Sequence, residues 1–211
     1  MKRLVIKVGT AVLTQDGQLA LERMDNLVNL ISKLKNEKNL QVILVSSGAV
    51  GAGFTSLKLD KKIVANKQAL AAIGQPLLLK HYKKRFKQHN IVCAQMLFIA
   101  DDFDSRKRSK NAQNVMEILL DNNILPIINE NDVIATEELV FGDNDQLAAH
   151  VAYYFKADML AILSDIDGYY NKNPREFSDA ILQKNISQID SSQLQMKHSA
   201  NSEFATGGIV T

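Results

Sequence analysis

Five short runs of β-branched and apolar residues recur along the chain, separated by longer stretches with helical periodicity. This alternation restricts the fold more than any other feature. The runs are "LVIKV" (4–8), "QVILVSS" (41–47), "IVCAQMLF" (91–98), "ILPIIN" (124–129) and "DMLAILS" (158–164). Between the first two, Met24, Leu27, Val28, Ile31 and Leu34 fall at helical spacing within residues 21–36. Residues 62–88 read as one or two helices broken near Gly74 and Pro76, and residues 104–122 as a helix with Arg and Lys on its outer side. A further helix over 144–156 carries Leu147, Ala148, Val151, Ala152 and Phe155 on one stripe. Pro126 speaks against a central, fully paired position for the fourth run. Strand alternating with helix implies βαβ units. The expected class is therefore α/β: a three-layer α/β/α sandwich on a mainly parallel sheet. After Gly168 the pattern gives way to the polar, loop-like "YYNKNPREFSDA".

Composition narrows the function classes. Lys plus Arg number 25 against 23 Asp plus Glu, a balance that argues against nucleic acid or an anionic membrane as the main partner. The single cysteine, Cys93, cannot form an internal disulfide or by itself a cysteine-rich metal site, which suits a reducing, cytoplasmic setting. The N-terminal "MKRLVIKVGT" is too short in its apolar part for a signal peptide, and Lys7 interrupts it. No stretch approaches the ~20 apolar residues of a membrane span.

In open α/β sheets ligands sit at the carboxyl ends of the strands, and those ends carry the polar residues of interest. The first ends in "KVGT". Lys7, inside an apolar run, needs a partner or a ligand unless its head reaches solvent. Gly9 is either an ordinary turn glycine or a place for close approach. The second strand ends in "SSGAVGAG", where Gly48, Gly51 and Gly53 serve tight packing or, at a helix start, an anion site. The order is neither G-x-x-x-x-G-K-[ST] nor G-x-G-x-x-G. The fourth ends in "NENDVIAT". Asn129, Glu130, Asn131 and Asp132 form either a solvated loop or acceptors for a ligand ammonium. In "GDNDQLAAHVA", Asp143 fits a helix N-cap with Gln146 as capping-box partner, and Asp145 suits the helix dipole. Asn144 is left without a structural reason. If the strand ends converge, Lys7 is the cation that lets these carboxylates sit together. Ser164, Asp165, Asp167 and Gly168 follow the last strand. Asp165, Asp167 and Gly168 resemble a calcium loop only faintly, and a turn is the default.

In this order "VIKVGT", "VSSGAVGAG", "ALAAIGQPLL", "NENDVIAT", "GDNDQLAA", "LSDIDGYYNKNP" and "TGG-x-x-T" resemble the amino acid kinase family over nearly the whole chain. The glycine turns are shared by carbamate, acetylglutamate, aspartate and uridylate kinases. The pair "NEND" and "GDNDQLAA" points to the branch that acts on L-glutamate. The resemblance implies transfer of the ATP γ-phosphoryl group to the γ-carboxylate of L-glutamate, the first step of proline synthesis. It implies Lys7 at the phosphates and the transferring group, with Gly9 beside it, and Asp145 orienting the catalytic lysines. It places Ser47, Gly48 and Ala49 in the substrate-side glycine loop, and Asp132 and Asn144 on glutamate. Ser164, Asp165 and Thr206, Gly207, Gly208, Ile209, Val210 and Thr211 match nucleotide-binding segments. Mg²⁺ would arrive with ATP, so no protein metal cage is expected. Homodimers or homotetramers and inhibition by proline are implied too; helices within 62–122 are candidates for the interface. The family lysine after "TGG" would fall one residue beyond Thr211. The expectation is thus one amino acid kinase domain over 1–211 lacking its C-terminal elements, without the PUA domain of many relatives. The alternatives are a kinase for aspartate, acetylglutamate or carbamate, or a non-catalytic amino-acid sensor on this fold.

Overall fold

The structure is a computed structural model that describes residues 2–15, 17–135 and 144–186. In chain order its elements are β1 (Arg3–Val8), α1 (Thr10–Leu13), a hairpin of β2 (Thr14–Gln15) and β3 (Gln18–Leu19), α2 (Leu21–Asn36), β4 (Gln41–Ser46), α3 (Ala49–Phe54) and α4 (Val64–Lys87). There follow β5 (Cys93–Phe98), α5 (Ala100–Asp104), α6 (Arg106–Asp121), β6 (Leu125–Glu130), α7 (Asn144–Tyr154) and β7 (Met159–Leu163). The main sheet has the order β5-β6-β4-β1-β7, and every pairing within it is parallel.

Strand residues alternate between faces, and the two cores follow that alternation. Ile6, Val8, Val42 and Leu44 pack with Met24, Leu27 and Ile31 of α2 and Leu78, Tyr82 and Phe86 of α4. Val5, Ile43 and Val45 face the other way, onto Phe103, Met116 and Leu120 of α5 and α6 and Leu147, Val151 and Phe155 of α7 and its end. The result is the α/β/α sandwich expected from the strand–helix alternation. The inner strands β1, β4 and β6 are covered by helices on both faces, which is why their runs read as nearly continuous apolar stretches.

Two local expectations are corrected. Residues 64–87 form one helix, not two, with Pro76 inside it. Pro76 and Ala72, whose carbonyl the missing N–H would have bonded, are both on the exposed side, where water can take that carbonyl. Gly74 is no breaker either. A Cβ there would lie 1.7 Å from the Ala49 carbonyl oxygen, and one on Gly53 would lie 1.9 Å from that of Leu70. These glycines let the backbones of α3 and α4 touch. The helix expected over 104–122 is present as α6; it starts after Ser105, which is extended and caps it with a hydroxyl that accepts from the Arg108 N–H at 3.4 Å. Lastly, β6 lies inside the sheet despite Pro126. Its register with β4 begins at Leu44↔Ile127, one residue past the proline, so the missing donor is not needed on that side.

Alanine in place of a mid-helix glycine ordinarily stabilises by ~1 kcal/mol. At Gly74 the sign should reverse. Gly74→Ala is expected to lower the unfolding free energy by about 3 kcal/mol through overpacking against the Ala49 carbonyl, read as a drop in the urea midpoint.

Candidate active site

Connections from β1 and β4 run to the α2/α4 layer, whereas those from β5 and β6 run to the α6/α7 layer. The chain therefore diverges between the adjacent C-terminal ends of β4 and β6, and a crevice opens at such a switch point. Asn144, the first residue of α7, is buried there. Its side-chain Nδ2 donates to the Ser46 carbonyl (3.2 Å), the Ser47 hydroxyl (3.0 Å) and Asn129 Oδ1 (2.7 Å). One side chain thus ties the end of β4 to the end of β6. Asn129 Nδ2 in turn donates to Gln75 Oε1 of α4 at 2.7 Å. Ser46 Oγ shares a 2.9 Å hydrogen bond with the buried Tyr82 hydroxyl.

One residue further along α7, Asp145 accepts an ion pair from Lys7 Nζ at 2.6 Å. Lys7 is two residues from Val5 and shares its face of β1, so its stem runs toward α7 rather than to water. The Lys7 side chain is 2% exposed and that of Asp145 19%. Desolvating an ammonium this completely costs several kcal/mol unless a partner is fixed beside it. Asp145 is that partner, and it also lies in the first turn of α7, where the dipole favours a negative charge. Gly9 contributes space. A Cβ there would sit 3.5 Å from Lys7 Nζ, and the Gly9 N–H is engaged by the Leu163 carbonyl at 3.1 Å.

The glycine loop after β4 turns sharply. Gly48 has φ +101°, a left-handed conformation that suits glycine. Ala49 then opens α3, whose first-turn N–H groups have no intrahelical acceptor. Asp132 lies three residues past Asn129, at most ~10 Å of chain away. Burial pushes its carboxyl up to about 6, against the opposing pull of a backbone hydrogen bond and of Lys67. Burial likewise pushes the Cys93 thiol up to about 12, so it stays protonated and is no nucleophile at neutral pH.

The structure therefore brings Lys7, Gly9, Ser47, Gly48, Ala49, Asn144 and Asp145 together around the ends of β1, β4 and β6. Ser164 and Asp165 follow β7. There Ser164 Oγ donates to Asp165 Oδ1 at 3.1 Å, and Arg175 pairs with Asp165 at 2.9 Å. Their hydrogen bonds run within their own loop, and the Asn144 side-chain bonds go to Ser46, Ser47 and Asn129 instead. Asp143, and Thr206 through Thr211, lie outside the described residues. Among the described residues no three His, Cys, Asp or Glu side chains gather in a way that could hold a metal ion. Sequence reasoning missed Gln75 and Tyr82. Both sit mid-helix in α4, and the one hint in the sequence is a glutamine directly after Gly74, on a helix otherwise marked by its apolar stripe.

A parallel α/β sandwich with a buried lysine–aspartate pair beside a glycine loop at the switch point is the setting of a phosphotransferase. The chain belongs to the amino acid kinase family, whose sequence pattern matches residues 2–211. It is 54% identical to the glutamate 5-kinase of Wolinella succinogenes over 100% of this chain and 82% of that protein. It is 50% identical to the glutamate 5-kinase of Leishmania donovani over 100% of this chain and 80% of that protein. Among solved structures it resembles UMP kinase from Ureaplasma parvum, with TM-score 0.60 and 18% identity, over 88% of this chain and 76% of the other. It also resembles T. acidophilum isopentenyl phosphate kinase, with TM-score 0.61 and 15% identity, over 88% and 80%. These structural likenesses speak to the fold.

Lys7→Met would leave Asp145 as an uncompensated, mostly buried carboxylate. It is expected to lower the unfolding free energy by about 3 kcal/mol, and adding Asp145→Asn should recover at least half of that. A urea double-mutant cycle measures the coupling. A double variant no more stable than Lys7→Met would show that the pair is not coupled.

Proposed function

We propose that the chain is an ATP-dependent kinase of L-glutamate, transferring the γ-phosphoryl group of ATP to the γ-carboxylate to give L-glutamyl 5-phosphate, the first step of proline biosynthesis. The family match and the relatives named glutamate 5-kinase across the full chain support this activity. The single observation that carries the site assignment is the Lys7–Asp145 ion pair at the switch point.

In this reading the γ-carboxylate oxygen of glutamate attacks the γ-phosphorus, and the bond from that phosphorus to the β,γ-bridging oxygen breaks as ADP leaves. A carboxylate nucleophile is already ionised at neutral pH and needs no general base. The protein's work is then to align two anions and to stabilise charge on the equatorial oxygens. Lys7 supplies that charge, and Asp145 holds it in place. The gap above Gly9 lets phosphate oxygens approach the ammonium. Mg²⁺ arriving with ATP would supply charge neutralisation at the phosphates. Ser47, Gly48, Ala49, Asp132 and Asn144 hold glutamate. The nucleotide reaches Ser164 and Asp165 and, by the sequence resemblance, Thr206, Gly207, Gly208, Ile209, Val210 and Thr211. The proposal extends to self-association as a homodimer or homotetramer, supported by exposed Val92, Val115 and Ile118 within residues 62–122. It extends also to inhibition by proline, which offers the same α-carboxylate and a cationic nitrogen. No helix among the described residues is long and apolar enough to cross a membrane.

The test is ADP formation across a panel of acids. Glutamate should dominate over aspartate, acetylglutamate and carbamate. Lys7→Ala should lower turnover by a factor of ~10²–10³, the loss expected when one stabilising group is removed. A folded Lys7→Ala variant with near wild-type turnover refutes its assigned role.

The pH profile supplies a second test. Asp132 is charged above about 6 and neutral below. Only the charged form attracts the substrate ammonium, and kcat/KM reports the free enzyme. So kcat/KM for glutamate should fall about tenfold per pH unit below about 6. Asp132→Asn should bind weakly throughout and lose that limb. A wild-type profile flat from pH 7 to 5 would remove Asp132 from the site.

A further inference from the structure

The amide chain Gln75–Asn129–Asn144 has a definite polarity, and one backbone atom sets it. The Ser46 carbonyl can only accept a hydrogen bond. The Asn144 atom 3.2 Å from it must therefore be the nitrogen, Nδ2. That nitrogen also faces Asn129 at 2.7 Å, so Asn129 must present its oxygen there. Asn129 is then left with its own nitrogen pointing at Gln75, and Gln75 must present its oxygen, at 2.7 Å. Flipping any one amide would set donor against donor or acceptor against acceptor in a largely buried site. With the two Nδ2 hydrogens shared among three acceptors, the atom Asn144 has to offer a ligand is its carbonyl Oδ1.

We propose that Gln75 is a positioning residue for the substrate site: by accepting from Asn129 it holds that side chain with its oxygen toward Asn144 and so backs the polarity that the Ser46 carbonyl sets, in which Asn144 presents an acceptor that favours the ammonium of an α-amino acid. This rests on the reading that Asn144 contacts the substrate. Gln75 lies on α4, outside the strand-end motifs, and acts through Asn129 without touching the reacting atoms. Its place is set by Gly74, the adjoining residue, whose missing Cβ lets this turn of α4 close on the backbone of α3. What Gln75 contributes is an acceptor at one point, so the chemistry of the replacement matters more than its size.

Three substitutions separate that role from simple packing. Glutamate retains an acceptor, methionine keeps the length without one, and lysine offers only donors. Gln75→Glu should keep KM for glutamate within about threefold of wild type. Gln75→Met should raise it about tenfold, the value of one lost hydrogen bond, and Gln75→Lys should raise it further. KM for ATP should stay within about twofold in all three, because the chain ends at the amino-acid side. A purely structural role would instead move both KM values and the melting temperature together. Should Gln75→Met fail to fold, Gln75→Glu still decides: a raised glutamate KM in that variant overturns the proposal. So does a wild-type glutamate KM in folded Gln75→Met. Asn144→Ala serves as the control. If it raises the glutamate KM while Gln75→Met does not, the relay is wrong and the substrate reading stands. If it leaves the glutamate KM unchanged, the substrate reading fails and takes the relay with it.

Discussion

A lysine ammonium buried to 2% exposure in the middle of a parallel sheet is an expensive object, and the arrangement around it follows from making it tolerable. β1 is flanked on both sides by strands and covered by α7, so the charge has no path to bulk water along the sheet. A carboxylate has to be brought to it. Asp145 is brought by starting α7 at Asn144, which is tied to the ends of β4 and β6, and this fixes the axial position of the whole helix. Leu147, Ala148 and Val151 then drop into the core on Val5, Ile43 and Val45. The ion pair and the apolar stripe specify the same placement by independent means. Agreement of that kind between local and tertiary preferences gives a sequence one answer rather than several. Replaced by two well-packed apolar residues, the pair would cost the fold little. Its presence is therefore better explained by the charge it maintains at the cleft than by stability.

The glycines serve the same end by geometry. Gly53 and Gly74 bring α3 and α4 into backbone contact, which pins the short α3. Pinning α3 fixes the turn at Gly48, and with it Ser47, whose N–H is held by the Val8 carbonyl and whose hydroxyl accepts from Asn144. The loop after β4 is thus restrained from β1, from α4 and from α7. A loop held from three directions keeps its shape when a ligand arrives. That is the condition under which positioning, rather than chemistry supplied by side chains, can carry a phosphoryl transfer.

Much of this was legible in the sequence. The helix at 21–36 and the five strands emerge from periodicity and β-branching alone, because each is long enough or apolar enough for local preference and burial to agree. Lys7, Asn144 and Asp145 stand out as polar residues at strand and helix ends. The readings that failed are those where a local rule met a tertiary exception. Pro76 is harmless because it faces out, Gly74 is a contact rather than a break, and Pro126 sits one residue short of the register that would have needed its N–H. None of these can be seen without knowing which side of the element is buried. Gln75 was illegible for a related reason. Its partner Asn129 is 54 positions away, and nothing in a helical glutamine announces that its oxygen rather than its nitrogen is the part that counts.

Charge and amide polarity divide the work of the cleft between them. Glutamate and ATP both arrive as anions at their reacting ends, and two anions repel at close range. A fixed ammonium answers that repulsion, but a single point charge cannot tell one end of a zwitterion from the other: it attracts the α-carboxylate as readily as the γ-carboxylate. Discrimination needs a feature that repels the wrong end. A locked carbonyl oxygen is such a feature, since it welcomes an ammonium and turns away a carboxylate. Because the oxygen is held by a chain of amides ending on a backbone carbonyl, it cannot rotate to accommodate the reversed substrate. Reversed binding would then leave a carboxylate against an acceptor with no donor in reach, at the cost of an unmet polar group in a dry site. On the proposed reading, the ammonium of Lys7 draws the anions in, and the amide chain decides which way round the amino acid lies.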